Sequence, residues 1–154
     1  MSIGRTWPRR VHRSLCGPDC RTAETARALG LDPVDEPALR DLDCGGWAGR
    51  SIDDVLSTEP DAFAAWMSDP EATPHGGESI GAVVERVTRW LGQLAAAGDD
   101  RVVAVTHPAV VRSAVLHALK APVASFWALD VVPLSMVRLH ASGGRWRVRL
   151  GPEE

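Results

Sequence analysis

Arg21 and His107 each sit where a short apolar run gives way to an amphipathic stretch. Residues 11–15 lead through Cys16-Gly17-Pro18-Asp19-Cys20 to Arg21, and residues 101–106 (RVVAVT) lead directly to His107 and Pro108. In open α/β sheets ligands collect at the carboxyl ends of the strands, where helix N-termini offer free N–H groups to anions. An arginine at one such junction and a histidine at the other would make an anion site with a group that titrates near neutral pH. Each residue alone has an ordinary reading too, the arginine as a solvated charge and the histidine as a packing residue.

The elements that must place these two residues follow from pattern. Short apolar runs alternate with amphipathic stretches, which suggests an α/β sandwich. Residues 11–15 read as a strand and residues 21–29 as a helix stopped by Gly30. Residues 34–39 read as a second strand or as extended chain. Residues 41–74 read as irregular, apart from a short helix over 52–56 behind Ser51, with Asp54 completing a capping-box pattern. Ser79 is a good N-cap for a longer helix in which Ile80, Val83, Val84, Val87, Leu91 and Leu94 share one face, ending near Gly98. The run at 101–106 has the character of a strand buried on both faces. Pro108 suits the first position of the helix after it, Pro108–Leu119, because its missing N–H would be unpaired there anyway. Residues 134–140 and 145–150 read as strands joined by a hairpin turn at Ser142-Gly143-Gly144.

Four segments, in a fixed order, resemble one family. Gly17-Pro18-Asp19-Cys20-Arg21 with Ala23-Glu24-Thr25-Ala26 is similar to a Ser-Pro-x-x-Arg-x-x-x-Thr-Ala segment. Leu39-Arg40-Asp41-Leu42-Asp43 with Gly45, Trp47 and Gly49 is similar to Leu-x-Glu-x-x-x-Gly-x-Trp-x-Gly. Gly76-Gly77-Glu78-Ser79 matches Gly-Gly-Glu-Ser, and Val105-Thr106-His107 with Val111 and Arg112 is similar to Val-Ser-His-Gly-x-x-x-Arg. From about Arg9 onward the chain thus resembles the histidine phosphatase (phosphoglycerate-mutase-like) superfamily. The resemblance implies a three-layer α/β sandwich, a mostly parallel sheet flanked by helices. It implies phosphomonoesterase or phosphomutase chemistry without metal or cofactor. Arg21 falls on the phosphate-binding arginine, His107 on the second catalytic histidine, and Asp41 on the glutamate that protonates the leaving group.

The family's members open with a strand ending in Arg-His-Gly, which carries the nucleophile, and this sequence contains no such triplet. His12 does not match it, having neither the preceding arginine nor the following glycine. The expectation is therefore a single truncated domain over residues 1–154, with the usual first central strand missing. Three smaller departures concern the site itself. Gly17 replaces the motif's serine, Asp41 is one methylene shorter than glutamate, and Pro108 replaces the glycine after the histidine and removes a backbone donor.

Composition narrows the class. With 45% hydrophobic and 24% charged residues and a net charge of −3, the chain lacks the signs of disorder and a strongly basic nucleic-acid footprint. No stretch approaches the ~18 apolar residues of a membrane span, and the opening MSIGRTWPRR has no apolar core of a secretory signal. A cytoplasmic protein is expected, binding neither nucleic acid nor membrane. Cys16, Cys20 and Cys44 read as reduced thiols, since their spacing is not that of a zinc knuckle. Trp47, Trp66, Trp90 and Trp127 read as packing residues, Glu78 and Ser79 as caps of the long helix, and His75 as a loop residue.

Three functional expectations follow. The first is a histidine-phosphatase-like protein without normal phosphatase activity that keeps a pocket for a small anionic or phosphorylated metabolite at Arg21. The second is an enzyme of changed chemistry, with His107 and Asp41 as acid and base on such a metabolite. The third is an ordinary phosphatase whose chain start has been truncated. A missing central strand would leave backbone groups unpaired beside residues 101–106. Residues 134–140, residues 1–8 or a second chain could cover them, and a homodimer is expected because Gly4 and Pro8 make residues 1–8 a poor central strand.

Overall fold

The computed structural model describes residues 11–98 and 101–150. Its centre is a three-stranded parallel sheet in the order β2-β1-β3, with β1 at Arg13–Cys16, β2 at Val34–Asp35 and β3 at Val102–Val105. Arg13 pairs with Val102 and Cys16 with Val105 on one side, and Leu15 pairs with Val34 on the other. Parallel strands need crossovers. Helix α1 (Cys20–Ala28) supplies the first; α2 (Ile52–Thr58), α3 (Pro60–Ser68) and α4 (Ile80–Ala97) lie in the second.

Helix α4 follows its sequence signals closely. The Ser79 hydroxyl accepts the Ala82 N–H at 3.0 Å, and Gly98 closes the helix in the left-handed conformation, φ 70°. Ile80, Val83, Val87 and Leu91 are buried on one face. Burying each such side chain is worth about 1.5–3 kcal/mol, whereas a cap is worth about 1 kcal/mol, so the face, not the cap, decides that the helix packs. Helix α5 (Pro108–Leu119) has the expected bounds and packs its buried Val110 and Leu116 into the same core.

Several expectations are corrected. Residues 60–68 are helix α3 rather than irregular chain; none of its residues is fully buried, so it has no apolar stripe to read, only Pro60 at its first position. The strand expected over 34–39 stops at Asp35 and passes into a 3-10 turn, Pro37–Leu39, capped by the Glu36 carboxylate on the Ala38 N–H at 3.1 Å. Pro37 has no N–H for a ladder. Strand β3 is not buried on both faces, because Ala104 is exposed and its three valines are half-buried.

The last two strands, β4 (Arg138–Ser142) and β5 (Arg145–Arg149), pair antiparallel in a separate sheet. Gly143 and Gly144, at φ 56° and 73°, form the two-residue turn between them, a conformation that glycine adopts without steric cost. Among the described residues β3 pairs with β1 only, so residues 134–140 do not close beside it. The reading of residues 1–8 as a substitute strand lies outside the described residues. Leu139 of β4, Trp146 of β5 and Val102 of β3 nevertheless pack against one apolar core.

Candidate active site

The three loops at the carboxyl end of the parallel sheet converge on His107. It is the N-cap residue of α5, in extended conformation directly after β3, and only 7% exposed. Its Nε2 lies 2.6 Å from Oδ2 of Asp19, and its Nδ1 lies 3.4 Å from Oδ2 of Asp41. Asp19 is the N-cap of α1, where its carboxylate accepts the Thr22 N–H and hydroxyl, each at 3.1 Å. Burial pushes the Asp19 carboxyl up, but the hydrogen bonds from His107 and from the Thr22 amide and hydroxyl outweigh it and hold the group below its ordinary value. Asp19 is thus an ionised acceptor. A carboxylate has no proton to give, so Nε2 is the donor in that contact and Nδ1 is the nitrogen that faces Asp41.

Asp41 is held through its backbone. The carbonyls of Ala38 and Arg40 accept Nη1 of Arg86 at 2.7 and 3.1 Å, and the Leu39 carbonyl between them accepts the Thr106 hydroxyl at 2.8 Å. Arg86 is itself gripped by Glu78 through two bonds of 2.9 Å, in a pair whose side chains are each about 10% exposed. Glu78 therefore does not cap α4 as expected; Ser79 does. The glutamate of Gly-Gly-Glu-Ser fastens the Asp41 loop to the long helix, assisted by Arg40 at 3.3 Å. The motif's glycine has an equally physical reason. A Cβ on Gly77 would overlap the Asp43 carbonyl where the two loops cross. Gly17, in the place of the motif's serine, comes so close to the Leu39 carbonyl that a Cβ would lie 2.9 Å from its oxygen.

The structure brings His107 and Asp41 together and places Arg21 two residues after Asp19. Arg21 is exposed in the first turn of α1 and makes no ion pair among the described residues. The group that sequence reasoning missed is Asp19. Its position marks a helix cap, and its contact with a histidine 88 residues away has no local signal. His12 stands at the opposite end of β1, its backbone N–H bonded to the Arg101 carbonyl at 2.9 Å. Four residues of strand, about 13 Å, separate it from the site. Burial and then Asp41, Asp43 and Glu78 all push the Cys44 thiol up, away from the thiolate form. His75 is not a simple loop residue: it is buried against Trp47 and Trp66, and its Nδ1 accepts the Gly77 N–H at 2.9 Å. Trp47, Trp66 and Trp127 form that aromatic cluster with Phe63 and Phe126, while Trp90 packs on the main core. A cavity of about 380 Å³ lies near the other end of α5, beside His117, Lys120 and Trp146, and does not include His107.

A profile of the histidine phosphatase superfamily (branch 1) matches residues 5–152. The chain belongs to that superfamily. Bifunctional protein Rv2228c of Mycobacterium tuberculosis is 32% identical over 126 residues, which are 79% of this chain and 35% of the relative. The adenosylcobalamin/alpha-ribazole phosphatase of Salmonella typhimurium is 31% identical over 121 residues, 75% of this chain and 60% of that enzyme. Among solved structures, a mycobacterial glucosyl-3-phosphoglycerate phosphatase in complex with inorganic phosphate superposes with a TM-score of 0.79 at 27% identity. That match covers 94% of this chain and 78% of the other. The superfamily member described here therefore spans between about a third and three-fifths of the length of these two curated relatives.

Proposed function

We propose that this chain carries the acid–base side of a phosphomonoester site for a small phosphorylated metabolite and does not turn over phosphate esters at phosphatase rates. His107 and Asp41 are the proton-handling pair, Asp19 orients His107, and Arg21 is the cation that meets the anion. The observation that carries this reading is the clamp on His107. A histidine attacks phosphorus through a free ring nitrogen, and here Nε2 is committed to Asp19 while Nδ1 faces Asp41. The sequence contains no Arg-His-Gly to supply another nucleophile. Losing a nucleophile from such a unit costs on the order of 10³–10⁶ in rate. The phosphatase names of the relatives support a phosphorylated substrate class, and the superfamily's own chemistry needs no cofactor or metal.

The rest of the reading concerns the whole chain. Residues 1–154 act as one domain in the cytoplasm; no helix among the described residues is long and apolar enough to cross a membrane. A second copy of the chain covers the edge of β3 that is unpaired among the described residues, giving a homodimer. The test of the site is inorganic phosphate. It should raise the melting temperature of the wild type and fail to do so for Arg21→Ala; equal shifts in both would leave only a general salt effect.

One observation favours a second reading, in which the site runs acid–base chemistry on a small anionic metabolite without a phosphoenzyme. The order carboxylate, imidazole, carboxylate is the arrangement of an oriented general base. Under that reading a metabolite found by thermal shift is converted by the wild type, and His107→Ala abolishes the conversion. A rate unchanged in His107→Ala would exclude it.

A further inference from the structure

The β4–β5 hairpin sorts its side chains by charge. Register opposes Arg138 to Arg149, His140 to Arg147 and Ser142 to Arg145, and directly opposed residues share a face of the sheet. The alternate pairs, Leu139 with Val148 and Ala141 with Trp146, make the other face, from which Leu139 and Trp146 pack on the core. The basic face is therefore turned away from the core, with His140, Arg145, Arg147 and Arg149 exposed.

The whole-chain sum conceals this ladder. The chain has 17 Lys and Arg against 20 Asp and Glu, but residues 138–149 contain four arginines and no acid, so the remainder holds seven more acids than bases. Like charges directly opposite destabilise a sheet pair, as Arg138 opposite Arg149 does. Arg145, Arg147 and Arg149 have no carboxylate partner among the described residues. An anion lying on this face would relieve that repulsion.

The shape of the patch selects the anion. No side chain on the face is apolar, so it lacks the aromatic or aliphatic centre around which a protein interface is built. It also lacks an aromatic platform for stacking unpaired bases. What it offers is a line of guanidinium groups along β5, one every second residue, about 6.8 Å apart. A two-stranded ribbon is also narrow enough for a duplex groove. We propose that the outward face of the β4–β5 hairpin binds the phosphate backbone of double-stranded nucleic acid without reading its sequence. This departs from the expectation drawn from net charge and is independent of the chemistry at His107.

The experiment is fluorescence anisotropy with a labelled 20-base-pair DNA duplex of random sequence. Binding at 50 mM salt should be micromolar, as for other non-specific electrostatic contacts, and three neutralised phosphates, one for each of Arg145, Arg147 and Arg149, should weaken it on the order of 40-fold by 200 mM. Replacing Arg145, Arg147 and Arg149 together by Gln should abolish it, while their replacement by Lys should retain most of it. Circular dichroism and the fluorescence of core-facing Trp146 report whether each variant keeps its fold. If the Gln variant unfolds, the single exposed substitution Arg147→Glu replaces it and should weaken binding at least tenfold. Absence of binding at 50 mM salt would overturn the proposal. So would a folded Gln variant that binds as the wild type does, or equal affinity for poly-glutamate or phosphatidylserine vesicles.

Discussion

At His107 both ring nitrogens face carboxylate oxygens, at 2.6 Å from Asp19 and 3.4 Å from Asp41, in a position only 7% exposed. The shorter contact ties the imidazole to the N-cap of α1. Asp19 then acts on stability as well as on orientation. Its carboxyl titrates below the ordinary value in the folded chain, so its stabilisation is complete above the unfolded carboxyl value, near pH 4. It is lost as pH falls through the lower folded value. Asn is as good an N-cap as Asp, so Asp19→Asn should keep α1 while making urea stability fall less steeply below about pH 4. An unchanged acid limb would mean that the contact with His107 contributes nothing. His107 and Arg21 were legible as residues at strand-to-helix junctions, and Asp41 through a motif. Asp19 was not, because a side chain that caps its own helix gives no hint that its second oxygen reaches another strand's end.

Between residue and fold stands the Glu78–Arg86 pair. It joins α4 to two backbone carbonyls, those of Ala38 and Arg40, just ahead of Asp41. Both side chains are nearly buried, and removing one partner leaves the other charge stranded, at a typical cost of 3–5 kcal/mol. Arg86→Ala should therefore lower urea stability by about 3 kcal/mol or more, where an exposed pair such as Arg89–Glu85 should cost under about 1 kcal/mol. A small loss in Arg86→Ala would show that the Asp41 loop stands without it. Elements with a strong period, α4 and α5, were readable to within a residue or two. Helix α3 was not, because its residues are at most half-buried and its packing comes from an aromatic cluster around Trp66 that no period encodes. The edge of β3 was misread for a related reason: an apolar run states what could be buried, not what neighbours will bury it.

For the whole molecule, four motifs in order identified the superfamily, while net charge hid a basic ladder inside an acidic chain. The half-exposed edge of β3 and the exposed Leu134 and Met136 ahead of β4 argue for a covering partner. Light scattering at micromolar concentration should report a dimer, and a monomer with amides of residues 101–106 strongly protected from hydrogen exchange would remove that part of the account. The most direct measurement is hydrolysis of a generic aryl phosphate at neutral pH by the 154-residue chain. With Nε2 of His107 held against Asp19 and no second histidine beside it among the described residues, the rate should stay at background. A robust rate that His107→Ala abolishes would contradict the account, since the clamped histidine would then be attacking phosphorus itself.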